Sequence, residues 1–515
     1  MNGAETLITA LNANSVDVCF ANPGTSEMQL VAAIDTAPDM RAILCLFEGV
    51  VTGAADGYGR MADRPALTLL HLGPGLGNGT ANLHNAKRAG SPVLNMVGDH
   101  ATYHLQYDAP LTADVKGFAK PVSDWVGVSK SPGNLAGTGL KALGEAMRYP
   151  GQVATFIAPA DHAWSTAQRT RSELTVPSVP RADSTGIEDA ANALKADGEV
   201  VLYLGGRALR EDALWQAGRI AAATGARLIC ETFTARLQRG AGRVPVERLP
   251  YFGEQAADAL KDVTAMVCVG ANPPVSFFAY PGKPSWLTPE ETILIELADR
   301  TVDAEDALVR LADALDAPPE PVALQRAAAP PPDDGPLAPV GIGQAVAQLM
   351  PQNAIVSDEA ATAGLAMFPS TAGAPAHDWL MLTGGSIGQG LPLAIGAAVA
   401  CPDRKVIALQ ADGSAMYTLQ SLWTMARENL DVTTIILNNG SYAILNIELQ
   451  RVGVENPGPK ALSLLDLTNP AIDWVSLAKG MGVSAKKAST VAEFQTALEA
   501  ALNLKGPALI EACIS

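Results

Sequence analysis

This chain of 515 residues is poor in aromatics, at 5%, and has only six histidines and six cysteines. The cysteines (Cys19, Cys45, Cys230, Cys268, Cys401 and Cys513) are scattered, mostly in apolar stretches, without metal-ligand spacing. They read as buried thiols of a reducing compartment. Basic residues are outnumbered: 36 Lys and Arg stand against 53 Asp and Glu, a formal charge of −17. That balance argues against nucleic acid or an anionic membrane as partner. An anionic small molecule would have to be met by backbone dipoles, a metal ion or histidine. No apolar run approaches the roughly 20 residues that span a bilayer. The opening Met1-Asn2-Gly3-Ala4-Glu5 starts an amphipathic helix and lacks the basic and apolar regions of a signal peptide. The expectation is a cytoplasmic enzyme. No short-period repeat is present.

What is there is alternation. Hydrophobic residues make up 48% of the chain, enough for several cores, and the length suggests about three domains. Val16–Phe20, Ala42–Leu46, Ala66–Leu70 and Val93–Val97 are strand-like, each followed by a Gly- or Pro-bearing loop and a helical pattern. The same cadence returns with Val200–Leu204, Arg227–Cys230, Met266–Val269 and Thr292–Glu296, and again with Ala354–Val356, Lys405–Leu409, Thr433–Leu437 and Ala508–Ala512. This predicts an α/β protein with three doubly wound parallel-sheet domains at 1–165, 185–315 and 340–515. The connectors at 166–184 and 316–339 are polar and proline-bearing.

Chemistry gathers at predicted strand ends, where open parallel sheets bind ligands. Asp412-Gly413-Ser414 follows one strand, and Leu437-Asn438-Asn439-Gly440 ends the next, Asn439 standing 27 residues after Asp412. A carboxylate and an amide oxygen there suit a small, hard divalent cation such as Mg²⁺, which is seldom fully caged by protein. Gly413 lets the backbone approach a phosphate, and the Ser414 hydroxyl can hydrogen-bond to it. Taken singly, each segment is an ordinary turn. In the first block, Glu48 stands just past a strand and before the helical run Val50–Arg60. Alone it would be a first-turn glutamate favoured by the helix dipole. Asn22-Pro23-Gly24-Thr25-Ser26-Glu27 reads as a turn with Thr25 or Ser26 capping a helix. His71 opens a glycine-rich loop, 71–79, that lacks the Gly-Lys-Ser/Thr ending of a nucleotide P-loop and suggests close backbone approach to a flat ligand.

Together, Asp412-Gly413-Ser414 with Asn439 resembles the diphosphate–magnesium motif of thiamine-diphosphate enzymes, except that Ala411 stands where the family usually has glycine. Glu48 with Gly53-Ala54-Ala55-Asp56-Gly57-Tyr58-Gly59-Arg60 resembles that family's activating glutamate and the run after it. The resemblance covers essentially the whole chain. It is closest to short acetolactate synthase large-subunit-like proteins near benzoylformate decarboxylase, and it implies pyrimidine-binding, central and diphosphate-binding domains. By resemblance, Glu48 protonates the cofactor's aminopyrimidine, and Asn22, Pro23, Gly24 and Thr25 lie against that ring. Gly385 meets its edge through a carbonyl, with Ser386 in the same turn, and Ile387 wedges between the cofactor's two rings. Mg²⁺ falls to Asp412, Asn439 and the carbonyl of Ser441. Gly413, Ser414, Tyr442, Ala361 and Thr362 fall to the diphosphate. His71 manages protons on substrate, and Leu111, Phe278, Ile444, Leu445 and Glu448 face it. Acetolactate synthases carry a Phe-Gln pair where this chain has Asp108-Ala109-Pro110-Leu111, and the decarboxylases' second histidine falls near Phe278.

The implied activity is decarboxylation of a 2-oxo acid, releasing an aldehyde or joining to a second carbonyl. The rivals are an acetolactate-forming carboligase acting on pyruvate and a non-catalytic cofactor-binding subunit. Because Glu48 and Asp412 lie in different domains, the resemblance also implies a site shared between subunits of at least a dimer, commonly a tetramer. The turn Leu204-Gly205-Gly206-Arg207 is too weak a signal for FAD, which is not expected.

Overall fold

A computed structural model of the chain describes residues 1–167 and 173–514. Part of the predicted connector 166–184, namely 168–172, lies outside the described residues. The chain builds three sheets. The first has six parallel strands in the order Arg41–Leu44, Val18–Asn22, Leu67–Leu70, Val93–Asp99, Val153–Pro159, Trp125–Val128. The second has five, in the order Glu247–Arg248, Arg227–Cys230, Glu199–Leu204, Val263–Val269, Ile293–Ala298. The third has seven: Ser484–Ala488, Ala508–Cys513, Val432–Asn438, Val406–Ala411, Ile355–Glu359, His377–Met381 and Leu237–Arg239. Leu237–Arg239 comes from the middle of the sequence, yet pairs antiparallel with the edge of the last sheet.

Helices cover both faces, so central strands such as Leu67–Leu70 and Val153–Pro159 are buried throughout. Their burial explains the continuous apolar runs of the sequence. His377–Met381 escaped that pattern because it begins His-Asp; both are buried, Asp378 against Arg236 and Arg404.

Two helices join the first and last sheets. Glu48–Ala62 is buried through Met61, and Gly390–Ala400 through Val399. Their small residues let the backbones touch. A Cβ on Gly57 would lie 2.1 Å from the Leu393 carbonyl oxygen, and one on Gly396 would lie 1.9 Å from that of Ala54. One apolar core consequently runs from Phe20 and Ile43 to Val406 and Ile436. Within it, Arg60 donates to both oxygens of Asp56 (2.8 and 2.7 Å) and to the carbonyls of Ala235 (3.1 Å) and Met381 (2.7 Å). Asp56 also accepts from Gln389 Nε2 at 2.6 Å. A buried ion pair with its remaining hydrogen bonds satisfied is costly to break from one side, by about 3–5 kcal/mol. The Asp56-Arg60 pair thus ties all three parts of the chain together.

Candidate active site

Glu48, His71 and Asn22 stand at the carboxyl ends of three adjacent strands, Asn22 paired with Leu70, the residue before His71. Glu48 starts its helix and is 8% exposed; Asn78 Nδ2 donates to its Oε2 at 3.0 Å. His71 Nδ1 lies 2.8 Å from Oε2 of the fully buried Glu27. Glu27 also accepts from the Gly24 N–H (2.8 Å) and the Ser26 hydroxyl (2.6 Å). An ionised carboxylate only accepts, so the His71 proton sits on Nδ1 and Nε2 is left for other work. Glu27 is the residue the sequence reading missed, because it looked like an ordinary helix-entry glutamate.

The structure makes two corrections here. Neither Thr25 nor Ser26 caps the helix; the turn is closed by the Glu27 side chain reaching back to the Gly24 N–H, and the Ser26 hydroxyl is spent on Glu27. The run 71–79 is not a loop either: residues 72–89 form one helix, entered through Leu72 at φ +48°. Gly73, Gly75 and Gly79 serve packing. A Cβ on Gly75 would meet Glu48 Oε1 at 3.2 Å and His71 Cβ at 3.4 Å, and one on Gly79 would meet Thr52 at 2.9 Å. Thr25, His71 and Leu111 line one cavity, with His100, Tyr103 and Trp164.

Around the last sheet a second cleft is lined by Ala361, Thr362, Ile387, Asp412, Gly413, Ser414, Asn439, Ser441, Tyr442 and Ile444. Asp412 and Asn439 sit past neighbouring strands, with Ala411 opposite Leu437. Asp412 accepts from the N–H groups of Gly413 and Gly440, both at 2.8 Å, yet burial still holds its carboxyl above the ordinary range. Asn439 Oδ1 accepts from the Ser441 N–H at 3.0 Å, and the Ser414 hydroxyl donates to the Ala411 carbonyl at 3.1 Å. Ser414 therefore offers its main-chain N–H before its side chain. Ala361 adopts φ +50°, a strained geometry for a residue with a Cβ.

Gly385 (φ +73°) packs on Phe277, and Ser386 is bonded through N–H and C=O to the side chain of Asn85. Glu359, another missed residue, accepts the N–H groups of Gly388 (2.6 Å), Gln389 (3.3 Å) and Gly390 (2.8 Å). It thereby orients the turn that carries Ile387; burial pushes its carboxyl up to about 7. Glu448 Oε2 accepts the Tyr280 hydroxyl, while its Oε1 is buried without a partner. Phe278 (53% exposed) and Leu445 (44% exposed) line neither cleft. The single chain thus gathers Thr25, His71 and Leu111 in one cavity and most of the predicted diphosphate-side residues in another, while Glu48, Gly385, Ser386, Phe278, Leu445 and Glu448 line neither.

The donor chemistry fits the groups that the sequence implied. Asp412 is a desolvated carboxylate beside amide and carbonyl oxygens, a set suited to a hard cation. Among the described residues no cluster of three His, Cys, Asp or Glu side chains could hold a metal. A Cβ on Gly413 would come within 2.3 Å of the Tyr442 ring, so glycine keeps the cleft floor open.

Comparison with known proteins agrees with this geometry. Residues 1–121 match the family described as thiamine pyrophosphate enzyme, N-terminal TPP binding domain, and residues 365–512 match its C-terminal TPP binding domain. The chain is 52% identical to the Mycobacterium tuberculosis protein named "Putative acetolactate synthase large subunit IlvX", over 100% of this chain and 99% of that one. It is 28% identical to a benzoylformate decarboxylase of Pseudomonas aeruginosa, covering 97% and 96% of the two chains. A solved thiamine diphosphate-dependent 4-hydroxybenzoylformate decarboxylase of Rhodococcus jostii superposes with a TM-score of 0.87 at 25% identity, covering 100% of this chain and 99% of the other. The fold and the two matched domains are those of a thiamine-diphosphate enzyme. Within that class, the chain belongs to the acetolactate synthase and benzoylformate decarboxylase family. Among the described residues no helix is long and apolar enough to cross a membrane.

Proposed function

We propose that the chain decarboxylates a 2-oxo acid with thiamine diphosphate and Mg²⁺, at a site completed by a second copy of itself. The observation that carries this reading is the pairing of Glu48 and His71 across Gly75, each held by its own partner, Asn78 and Glu27. When bound, the cofactor supplies a nucleophilic carbon and an electron sink for the departing CO₂. The chain's own residues do the rest. Glu48 holds or gives one proton at Oε1, since its Oε2 is occupied by the Asn78 amide. His71, oriented by Glu27, presents Nε2 to a proton on the substrate side. Asp412, Asn439 and the Ser441 carbonyl would hold the cation, and Ile387 would keep the cofactor bent.

Three features support the second copy. His71 with Thr25, and Asp412 with Asn439, lie in separate cavities. Large apolar side chains stand exposed beside the first (Leu46 46%, Phe118 48%). Others stand exposed beside the second (Met416 41%, Tyr417 54%).

The test is a panel of 2-oxo acids, including pyruvate and benzoylformate, given to the enzyme with cofactor and Mg²⁺. CO₂ release with an aldehyde product is expected. Acetolactate from pyruvate would instead assign the carboligase role, and no CO₂ from any acid would refute the reading.

A further inference from the structure

The helix 72–89 carries asparagine at 78, 82 and 85, a spacing that puts all three on one face, below Gly75. Asparagine is a poor helix former, and two of these are buried, Asn82 at 2% and Asn85 at 0% exposure. A buried amide is tolerated only when its hydrogen bonds are made, and here each bond leads to the candidate site. Asn78 Nδ2 donates to Glu48 Oε2 (3.0 Å). Asn82 Nδ2 is shared between two carbonyls: that of Gly49, next to Glu48 (2.8 Å), and that of Gly388, next to Ile387 (3.2 Å). Asn85 Nδ2 donates to Asn82 Oδ1 (3.1 Å) and to the Ser386 carbonyl (2.8 Å), and its Oδ1 accepts the Ser386 N–H (3.2 Å).

We propose that Asn78, Asn82 and Asn85 are positioning residues that set the Glu48 carboxyl and the turn 385–387 in one register. The inference deepens the proposed function and rests on its assignment of Glu48 and of the turn. The stripe divides its labour. Asn78 makes Oε2 an acceptor and so sends the Glu48 proton to Oε1, the oxygen beside Gly75. Asn82 and Asn85 fix the turn that would meet the cofactor rings. Without the Asn82 amide, the Gly49 carbonyl loses its 2.8 Å donor, keeping the Thr52 hydroxyl at 3.5 Å, and the turn loses a link to the Glu48 helix.

The experiment compares Asn78→Leu, Asn78→Gln and Asn82→Ala with the wild type in two measurements. Apoenzyme is titrated with thiamine diphosphate and Mg²⁺ by intrinsic fluorescence, without substrate; steady-state kinetics follow on holoenzyme. Asn78→Leu should lower kcat at least about tenfold with KM and cofactor affinity unchanged, and Asn78→Gln, which restores a donor, should recover most of it. Asn82→Ala should weaken cofactor binding at least about fivefold. A merely structural stripe would lower stability and leave both values near wild type, and that result overturns the proposal. Asn78 is solvent-exposed in the single chain, so its variants fold and decide the matter even where Asn82→Ala does not. A chain that turned over no 2-oxo acid would sink the proposed function, while the substrate-free titration would still judge the stripe.

Discussion

Around the first sheet, Glu48 and His71 are each gripped by a neighbouring side chain, Asn78 and Glu27, contributed from other elements. Around the last sheet, the candidate ligands are shaped by main chain: N–H groups of Gly413 and Gly440 on Asp412, that of Ser441 on Asn439, and a left-handed Ala361. The first arrangement sets protonation and orientation, which side chains can tune. In the proposed function the second would hold charge and phosphate, which backbone dipoles and a cation meet best. Substitutions should therefore fail differently in the two regions.

The largest effect should come from Glu48→Gln. Turnover should fall about 10³-fold or more, with the cofactor titration unchanged, because only the transferable proton is lost. Equal activity in that variant would remove the first region from the chemistry. Asp412→Ala should do the converse, weakening Mg²⁺-dependent cofactor binding about 100-fold, and excess Mg²⁺ and cofactor should restore much of the rate. Should both variants lose cofactor equally, the contrast between the regions is false. Glu27→Gln keeps the size but not the charged acceptor for His71; kcat should fall about 10- to 100-fold with little change in cofactor affinity.

The smallest effect concerns stability. Glu359 is held up to about 7 in the folded chain against an ordinary 4.5. Its folded form binds the proton more tightly, so its contribution is fully present below the unfolded value and is lost as pH rises through about 7. The stability of the wild type relative to Glu359→Gln should fall by about 1.4 kcal/mol per pH unit between those values, read from denaturant midpoints. A flat difference would mean that the three N–H donors on Glu359 already offset its burial.

The two regions also differed in legibility. Asp412-Gly413-Ser414 and Asn439 could be read because short-range backbone geometry needs particular residues at fixed offsets. Likewise Glu48, at the end of a strand and the start of a glycine- and alanine-rich helix, carried a local signature. Glu27, Glu359 and the asparagine stripe carried none. His71 lies 44 residues from Glu27, Gly388 lies 29 from Glu359, and the stripe's partners lie 30 to 306 residues away, so only packing brings them together. The glycine-rich run 71–79 misled for the same reason. Gly75 and Gly79 look like loop residues until the helix 48–62 is found lying against them.

Hydrophobic alternation alone determined that this protein stacks parallel strands between helices, because a strand buried on both faces must be apolar along its length. The motifs at the strand ends drew the proposed site of a phosphate-bearing, cation-assisted ligand to one end of the last sheet. Tertiary structure decided which carboxylate orients His71, which amide restrains Glu48, and that a strand from residues 237–239 completes the last sheet. Those are contacts between distant segments, and sequence spacing carries no record of a distance closed only by folding.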